Sequence, residues 1–209
     1  MAFEHFEDVR QSPNGTVRLR ERKGDVKPLL EEVLPIARYV LSNYGQGQYI
    51  HVRWMRGNQP FDAKVETKGA MVDNNAWPAS GTLEVTVAQH PNEYLMREIL
   101  TSQGGAGSLD GLKRVKGPNG EKSIESTFTS YSNQSYIYGM ATIVLDAIRA
   151  KAAKNYPDDT TLIVEVELNT VYLRNEWEKL IDLVRADRPS HTFLQVFLTA
   201  DRGGYTAVL

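Results

Sequence analysis

The chain has 209 residues, of which 41% are hydrophobic and 24% charged, and its formal net charge at pH 7 is −2. This length suits one hydrophobic core, and the apolar content is too high for a disordered chain. A nearly neutral chain does not coat nucleic acid through its overall charge, so a nucleic-acid contact would need a local basic patch. The absence of cysteine excludes disulfides, cysteine-ligated metal and a thiol nucleophile.

The chain shows no targeting or membrane-spanning signal. Residues 1–10 are acidic and lack the apolar core of a signal peptide. Residues 126–145 are uncharged, but their first half consists largely of Ser, Thr, Asn and Gln, which argues against a membrane span. We therefore expect a soluble cytoplasmic protein without a membrane partner. The sequence does not indicate an oligomeric state.

The first quarter of the chain predicts a polar arm followed by a helix. Residues 1–27 are polar and charged, and the alternation of apolar and basic side chains at 17–23 fits either a short edge strand or a solvated segment. From Pro28, apolar residues recur at steps of three and four, which predicts a helix. Pro35 lies inside this helix and should kink it or mark a late start.

Three strand-like runs follow, at 49–55, 61–67 and 82–88. Each alternates polar and apolar residues or is rich in β-branched ones. The short turn between the first two runs predicts an antiparallel hairpin.

The second half of the chain predicts alternating helices and strands after a long loop. Residues 101–130, rich in glycine and basic residues, predict a loop. Helices are predicted at 92–100, 132–151 and 175–186, and strands at 161–167 and 192–199.

This order of elements predicts the fold class. Two strands joined through a long helix favour a parallel pair, whereas the early hairpin stays antiparallel. We therefore expect residues 28–209 to form a single α/β domain, with a mixed β-sheet and helices on both faces.

Two acidic residues, Asp62 and Glu84, are predicted on neighbouring strands. Adjacent strands lie about 4.8 Å apart, so carboxylates on one face can hold the same divalent cation. Hard oxygen ligands suit Mg²⁺ or Mn²⁺, which can activate water for attack on a phosphodiester. The alternative for Asp62 is an ordinary turn residue. Glu84 lies between Leu83 and Val85, and a buried carboxylate needs a partner or an ion.

The order of elements over roughly residues 28–167 resembles the core of the PD-(D/E)XK nuclease-like superfamily. Three short motifs carry the resemblance: Phe61-Asp62-Ala63, Leu83-Glu84-Val85-Thr86, and a long helix ending at 147–156 before a strand. The resemblance implies a restriction-endonuclease-like core (αβββαβ), here with an extra helix and strand at the C-terminus. It also implies metal-dependent cleavage of DNA or RNA, with Asp62 and Glu84 as metal ligands.

One residue departs from the family pattern. The second residue after the glutamate is a lysine in the family, and Thr86 takes its place here. Lys64, which shares a strand face with Asp62, is our first choice for the missing charge. Arg97 on the following helix is another choice. In a third arrangement the ion alone suffices, and Thr86 or Gln89 orients the water.

Further residues are candidates for metal or substrate contacts. Glu31 or Glu32 on the first helix could add a ligand, or could form a solvated pair. Glu165 and Glu167 could face a second cavity, although a strand with one wet face also explains them. The candidates for contacts with a nucleic-acid backbone are His90, Lys113, Arg114 and Lys116. The alternatives are a corner hydrogen bond for His90 and a solvated loop for the basic residues.

The sequence thus favours a metal-dependent nuclease that uses Asp62 and Glu84, with Lys64, Thr86 and Arg97 as the remaining candidate catalytic residues. The alternative is a binding module for nucleic acid or a protein partner, built on the same fold with a decayed site. A third alternative is a structural subunit that pairs through its edge strands. The sequence does not separate DNA from RNA, or endonuclease from exonuclease action.

Overall fold

The computed structural model describes residues 1–169, 171, 173–201 and 204–209. Six strands form one mixed sheet: β1 (Gln48–Trp54), β2 (Ala63–Gly69), β3 (Ser80–Ala88), β6 (Thr160–Val166), β7 (Gln195–Ala200) and β8 (Thr206–Val208). Strands β4 (Leu112–Lys116) and β5 (Lys122–Ser126) form a separate antiparallel hairpin.

The helices are α1 (Ala2–Gln11), α2 (Gly15–Glu21), α3 (Val26–Pro28), α4 (Leu34–Asn43), α5 (Ala70–Asp73), α6 (Glu93–Ser102), α7 (Asn133–Ala152) and α8 (Arg174–Ala186). A π-helical segment, Leu29–Val33, joins α3 to α4. Pro35 lies in the first turn of α4, where its missing N–H disturbs the helical hydrogen bonding least. The predicted late start of the helix is therefore an irregular π-helical turn just before the proline.

The sheet order is β1-β2-β3-β6-β7-β8. The β1–β2, β2–β3 and β7–β8 pairs are antiparallel, whereas β3–β6 and β6–β7 are parallel. The parallel pairs follow helical crossovers, since α7 connects toward β6 and α8 connects toward β7. The predicted mixed sheet is confirmed.

The hydrophobic core has two layers, one on each face of the sheet. On one face, Ile36 and Tyr39 of α4 pack against Leu83, Ile163 and Phe197. On the other face, α7 and α8 cover the even-numbered side chains of β6, through residues that include Val144, Ile148, Leu180, Leu162 and Val164. Each fully buried aliphatic side chain of this kind stabilises the fold by about 1.5–3 kcal/mol. Helices therefore lie on both faces, as predicted.

The N-terminal region is helical and packed, which differs from the predicted polar arm. Val9 and Val26 are buried together with Leu29, and Phe6 and Leu19 pack against them. The segment predicted as an edge strand or solvated arm lies largely in α2. Its apolar residues are few, so the sequence pattern did not predict this helix, which is stabilised by contacts with α1, α6 and α3.

The predicted loop at 101–130 contains the β4–β5 hairpin. Leu112 is buried against Leu95 and Ile99 of α6, and Ile124 packs beside them. The hairpin was missed because only a few apolar residues alternate among its lysines, serines and glycines.

Among the described residues, no helix is long and apolar enough to cross a bilayer.

A cluster of buried charges lies at the end of β6 on the α4 face. Arg38 contacts Glu165, and Arg22 contacts Glu167. Arg97 lies 4.0 Å from a Glu167 oxygen. Both acids are buried, so the interpretation of a wet strand face was wrong. The reason is that arginines from α4, α6 and the residue after α2 neutralise these acids under a helical cover.

The pKa of Glu165 makes the folded state sensitive to pH. Burial raises this pKa to about 7, although the Arg38 guanidinium opposes the shift. Its Oε2 is buried and makes no hydrogen bond within the described residues. Between the ordinary pKa of 4.5 and about 7, the folded state binds more protons at this site than the unfolded state. Stability due to this group therefore falls as the pH rises through that window.

We predict that Glu165→Gln makes the free energy of unfolding less dependent on pH. The wild-type protein should lose stability relative to the variant as the pH rises from about 4.5 to about 7, by up to a few kcal/mol, because glutamine carries no buried charge. Urea denaturation at several pH values measures the difference. Glu125→Gln on the exposed hairpin is the matched control, and parallel curves for wild type and Glu165→Gln would refute the prediction.

Candidate functional site

Asp62 lies beside Glu84 at the point where β2 begins. Ala63 pairs with Leu83 in the antiparallel register, so Asp62 stands opposite Glu84. The Asp62 N–H donates to the Leu83 carbonyl (2.9 Å), and the Val85 N–H donates to Asp62 Oδ2 (2.7 Å). The Asp62 backbone and side chain thus continue the hydrogen bonding with β3 just before β2 begins, and these bonds fix the position of the carboxylate.

Glu84 is buried on the α7 face of the sheet. It is 7% exposed. Its neighbours Leu83 and Val85 point toward α4, so Glu84 points to the opposite face, because side chains alternate along a strand. Its Oε1 accepts hydrogen bonds from Lys151 Nζ and, at 3.1 Å, from Tyr156 Oη. Lys151 lies in the last turn of α7. The buried carboxylate therefore has a cationic partner from the long helix.

The negative charge of Asp62 acts on the Glu84 carboxylate. Burial raises the pKa of Glu84, the bond from Lys151 opposes this, and the charge of Asp62 raises it further. Burial also raises the pKa of Asp62, while the Val85 N–H and the Lys151 ammonium lower it. A single ammonium group therefore partly compensates two desolvated carboxylates. An additional positive charge at this point would be stabilised.

A third acid, Glu32, approaches from the π-helical segment. Its Oε2 accepts a hydrogen bond from Trp54 Nε1 at 2.8 Å. Burial is the main cause that raises its pKa, and the Asp62 charge adds to the effect. A cavity of about 380 Å³, lined in part by Glu32, Trp54, Phe61 and Asp62 but not by Glu84, opens beside Asp62. Glu31 instead lies 3.8 Å from Lys27. Of the two predicted helical acids, Glu32 is the one near Asp62.

The donor set fits a hard divalent cation with few protein ligands. Within the described residues, Asp62 Oδ1 and Glu84 Oε2 make no hydrogen bond. The described part of the chain contains no group of three or more His, Asp or Glu residues arranged to hold a metal ion. Mg²⁺ is commonly bound by only one or two carboxylates and keeps several waters. A cation here would therefore have Asp62 and Glu84 as protein ligands, with water in its other positions.

The predicted substitutes for the family lysine do not reach the carboxylate pair. Lys64 is exposed, and its ammonium lies over the Phe61 ring at 5.9 Å. Arg97 donates to Gln89 at 3.1 Å and lies near Glu167 in the other charged cluster. Thr86 is half-buried and shares the strand face of Glu84. Of these three, only Thr86 is near Glu84, and its role stays a prediction.

Two of the four predicted substrate-contacting residues form contacts with other residues of the protein. His90 contacts Asp110 at 3.0 Å and accepts from the Asn92 N–H at 3.1 Å. This is the corner hydrogen bonding that was the alternative to a substrate role. Arg114 pairs with Glu98, whereas Lys113 and Lys116 are exposed on β4.

Sequence reasoning missed Lys151 and Tyr156. Both come from the segment that supported the family resemblance, but neither was assigned a role. The signal was present, because Lys151 follows Val144 and Ile148 on the buried face of α7. A lysine at a core-facing helical position requires a buried acidic partner.

Comparison with known proteins gives no relative for this chain. No family model matches it, and neither the curated proteins nor the solved structures include a match. The geometry of the Asp62, Glu84 and Lys151 side chains is therefore the basis for a functional proposal.

We predict that Lys151→Met destabilises the fold by about 3 kcal/mol, because it leaves the Glu84 carboxylate buried without its cation. The double variant Glu84→Gln/Lys151→Met should recover most of this loss, since it removes both charges. Urea denaturation of the wild type, both single variants and the double variant gives the coupling energy. Lys154→Met changes an exposed lysine three residues later and should have little effect. Additive single effects would show that the pair is not coupled.

Proposed function

We propose that the protein is a divalent-metal-dependent nuclease that hydrolyses phosphodiester bonds, with Asp62 and Glu84 as its metal-binding carboxylates. The observation that supports this most directly is the meeting of these two acids with Lys151 at the start of β2. Acids from adjacent strands and a lysine at one point are the groups that this chemistry needs. A nucleic-acid partner and a cytoplasmic location belong to the same proposal.

Each residue has a defined part in the proposed reaction. Mg²⁺ or Mn²⁺, when bound, would activate a water molecule and stabilise negative charge on the phosphoryl oxygens. The Val85 N–H holds Asp62 in place, and Tyr156 holds Glu84. The Lys151 ammonium supplies the positive charge that the family pattern places two residues after the glutamate. It approaches from α7 instead of β3, so the proposed site does not need a lysine at the position of Thr86.

The restriction-endonuclease-like core is part of this proposal. In chain order, α4, β1, β2, β3, α7 and β6 follow the αβββαβ pattern. The additions would be α6 and the β4–β5 hairpin before α7, and α8, β7 and β8 at the end. The antiparallel β1–β2–β3 meander and the parallel β3–β6 pair support this assignment.

A second candidate is a binding module with a decayed site. It is favoured by one observation, namely that Lys151 and Tyr156 both already donate to Oε1 of Glu84. In this alternative the lysine replaces the cation, and the pair has only a structural role.

We predict that Mn²⁺ binds the wild-type protein and that Asp62→Asn abolishes the binding. Isothermal titration with MnCl₂ measures it, because a carboxylate-bound ion releases or absorbs heat that the variant lacks. Asp159→Asn, which changes an exposed acid outside the pair, is the control. Identical heats for wild type and Asp62→Asn would favour the binding module.

We also predict that Glu84→Gln and Lys151→Met each lower kcat for phosphodiester hydrolysis about 100-fold or more, because the first removes a proposed ligand of the cation and the second removes positive charge beside the reacting phosphate. The assay uses fluorescent DNA and RNA oligonucleotides with Mg²⁺ or Mn²⁺, and circular dichroism verifies that each variant is folded. Lys154→Met is the matched control and should keep wild-type activity. Activity that survives Glu84→Gln at the wild-type level would overturn the proposed function.

A further inference from the structure

The β1–β2 hairpin has an exposed face beside the candidate site. Val52, Ala63 and Val65 point toward the α4 layer, so the alternate residues of both strands point to the opposite face of the sheet. We call these six residues the ribbon face: Tyr49, His51, Arg53, Lys64, Glu66 and Lys68. All six are exposed. The ribbon face is therefore an open surface on the same side of the sheet as Glu84.

The charges of the ribbon face are mostly positive and uncompensated. It carries three permanent cations and one acid, and within the described residues none of Arg53, Lys64 and Lys68 forms an ion pair. Arg53 lies directly opposite Lys64 in the register. Like charges at directly opposed positions destabilise a sheet, so this pair opposes folding unless an anion lies across it.

The cations of β2 form a row that leads away from Asp62. Lys64 is two residues from Asp62, or about 7 Å along the strand, and Lys68 is about 20 Å away. Of the ribbon-face cations on β2, Lys64 is thus the nearest along the strand to Asp62, although it does not contact the carboxylate pair. An extended polyanion along β2 would pass from Lys68 over Lys64 toward Asp62.

An aromatic side chain lies at the far end of this row. Tyr49 is 55% exposed, and the Lys68 ammonium lies over its ring at 5.9 Å. Tyr49 and Lys68 are directly paired across the two strands. Basic residues combined with an exposed aromatic ring are typical of surfaces that bind single-stranded nucleic acid, because the cations contact phosphates and the ring stacks on a base.

We propose that the ribbon face binds single-stranded nucleic acid and directs its phosphodiester backbone toward Asp62 and Glu84. The direction toward the carboxylates rests on the proposed function, whereas the binding itself does not. The β4–β5 hairpin is the competing surface, and it also opposes two lysines, Lys116 and Lys122. Its other two cations are matched by acids, because Arg114 is paired with Glu98 and Lys113 lies opposite Glu125. On the ribbon face, none of the three cations has an ion pair within the described residues.

The test is fluorescence anisotropy of a labelled oligothymidylate in EDTA, over a series of salt concentrations. The triple variant Arg53→Gln/Lys64→Gln/Lys68→Gln should bind at least about tenfold more weakly. Its plot of log affinity against log salt should be shallower by about 2, since each phosphate contact contributes about 0.7 to the slope. Tyr49→Ala should weaken binding about fivefold or more at every salt concentration, because it removes stacking.

The matched control is Lys113→Gln/Lys116→Gln/Lys122→Gln, which removes the same charge from the β4–β5 hairpin and should leave the slope unchanged. The proposal is overturned if the ribbon variant binds like the wild type, if the hairpin variant loses more affinity, or if a duplex of equal length binds as tightly as the single strand. EDTA removes divalent cations, so binding is measured without hydrolysis. If the ribbon face binds the strand but the protein does not cleave it when Mg²⁺ or Mn²⁺ is added, only the proposed function is refuted. Cleavage unaffected by the ribbon substitutions would refute only the present proposal.

Discussion

The contact between Lys151 and Glu84 is the interaction on which the candidate site depends. A carboxylate at 7% exposure cannot stay ionised without a partner, and the ammonium at the end of α7 provides it. The contact fixes the last turn of the long helix against β3, and Tyr156, just after the helix, reaches the same oxygen. Without it, the carboxylate would favour its protonated form, which cannot serve as the proposed metal ligand.

Within the part of the chain that the structure describes, two buried clusters of acids and bases differ in their balance of charge. Glu165 and Glu167 face three arginines, whose guanidinium groups stay charged and match carboxylates well. Asp62 and Glu84 share one lysine, and Glu32 adds another acid nearby. Glu93 adds negative charge near Glu167, and Asp201 adds it near Glu165, so the three guanidinium groups of the first cluster are shared among several acids. In the second cluster a single ammonium serves the carboxylates, which is the physical reason for proposing a cation site there.

The sequence predicted the central sheet and the Asp62–Glu84 pair, because both depend on local patterns. Alternation defines which side chains share a face, and the short turn before Asp62 limits the register of β2 against its neighbours. Lys151 depends on a contact between residues 67 positions apart, which no local pattern contains. The N-terminal helices and the β4–β5 hairpin were missed for a related reason, since their few apolar residues become significant only when Leu29 or Leu95 packs against them.

The ribbon face and the carboxylate pair both depart from what folding alone favours. Opposed Arg53 and Lys64 repel each other across the strands, and the negative charge of Asp62 raises the pKa of the buried Glu84 beside the start of β2. The two departures have opposite sign and lie next to each other on β2. In the proposed function, a phosphate backbone would be attracted by the first and a divalent cation by the second. A phosphodiester bound together with a cation would relieve both, because Lys64 would face negative oxygens and Asp62 and Glu84 would hold the cation. This pairing of unfavourable local charges argues for one shared ligand in place of two unrelated surface features.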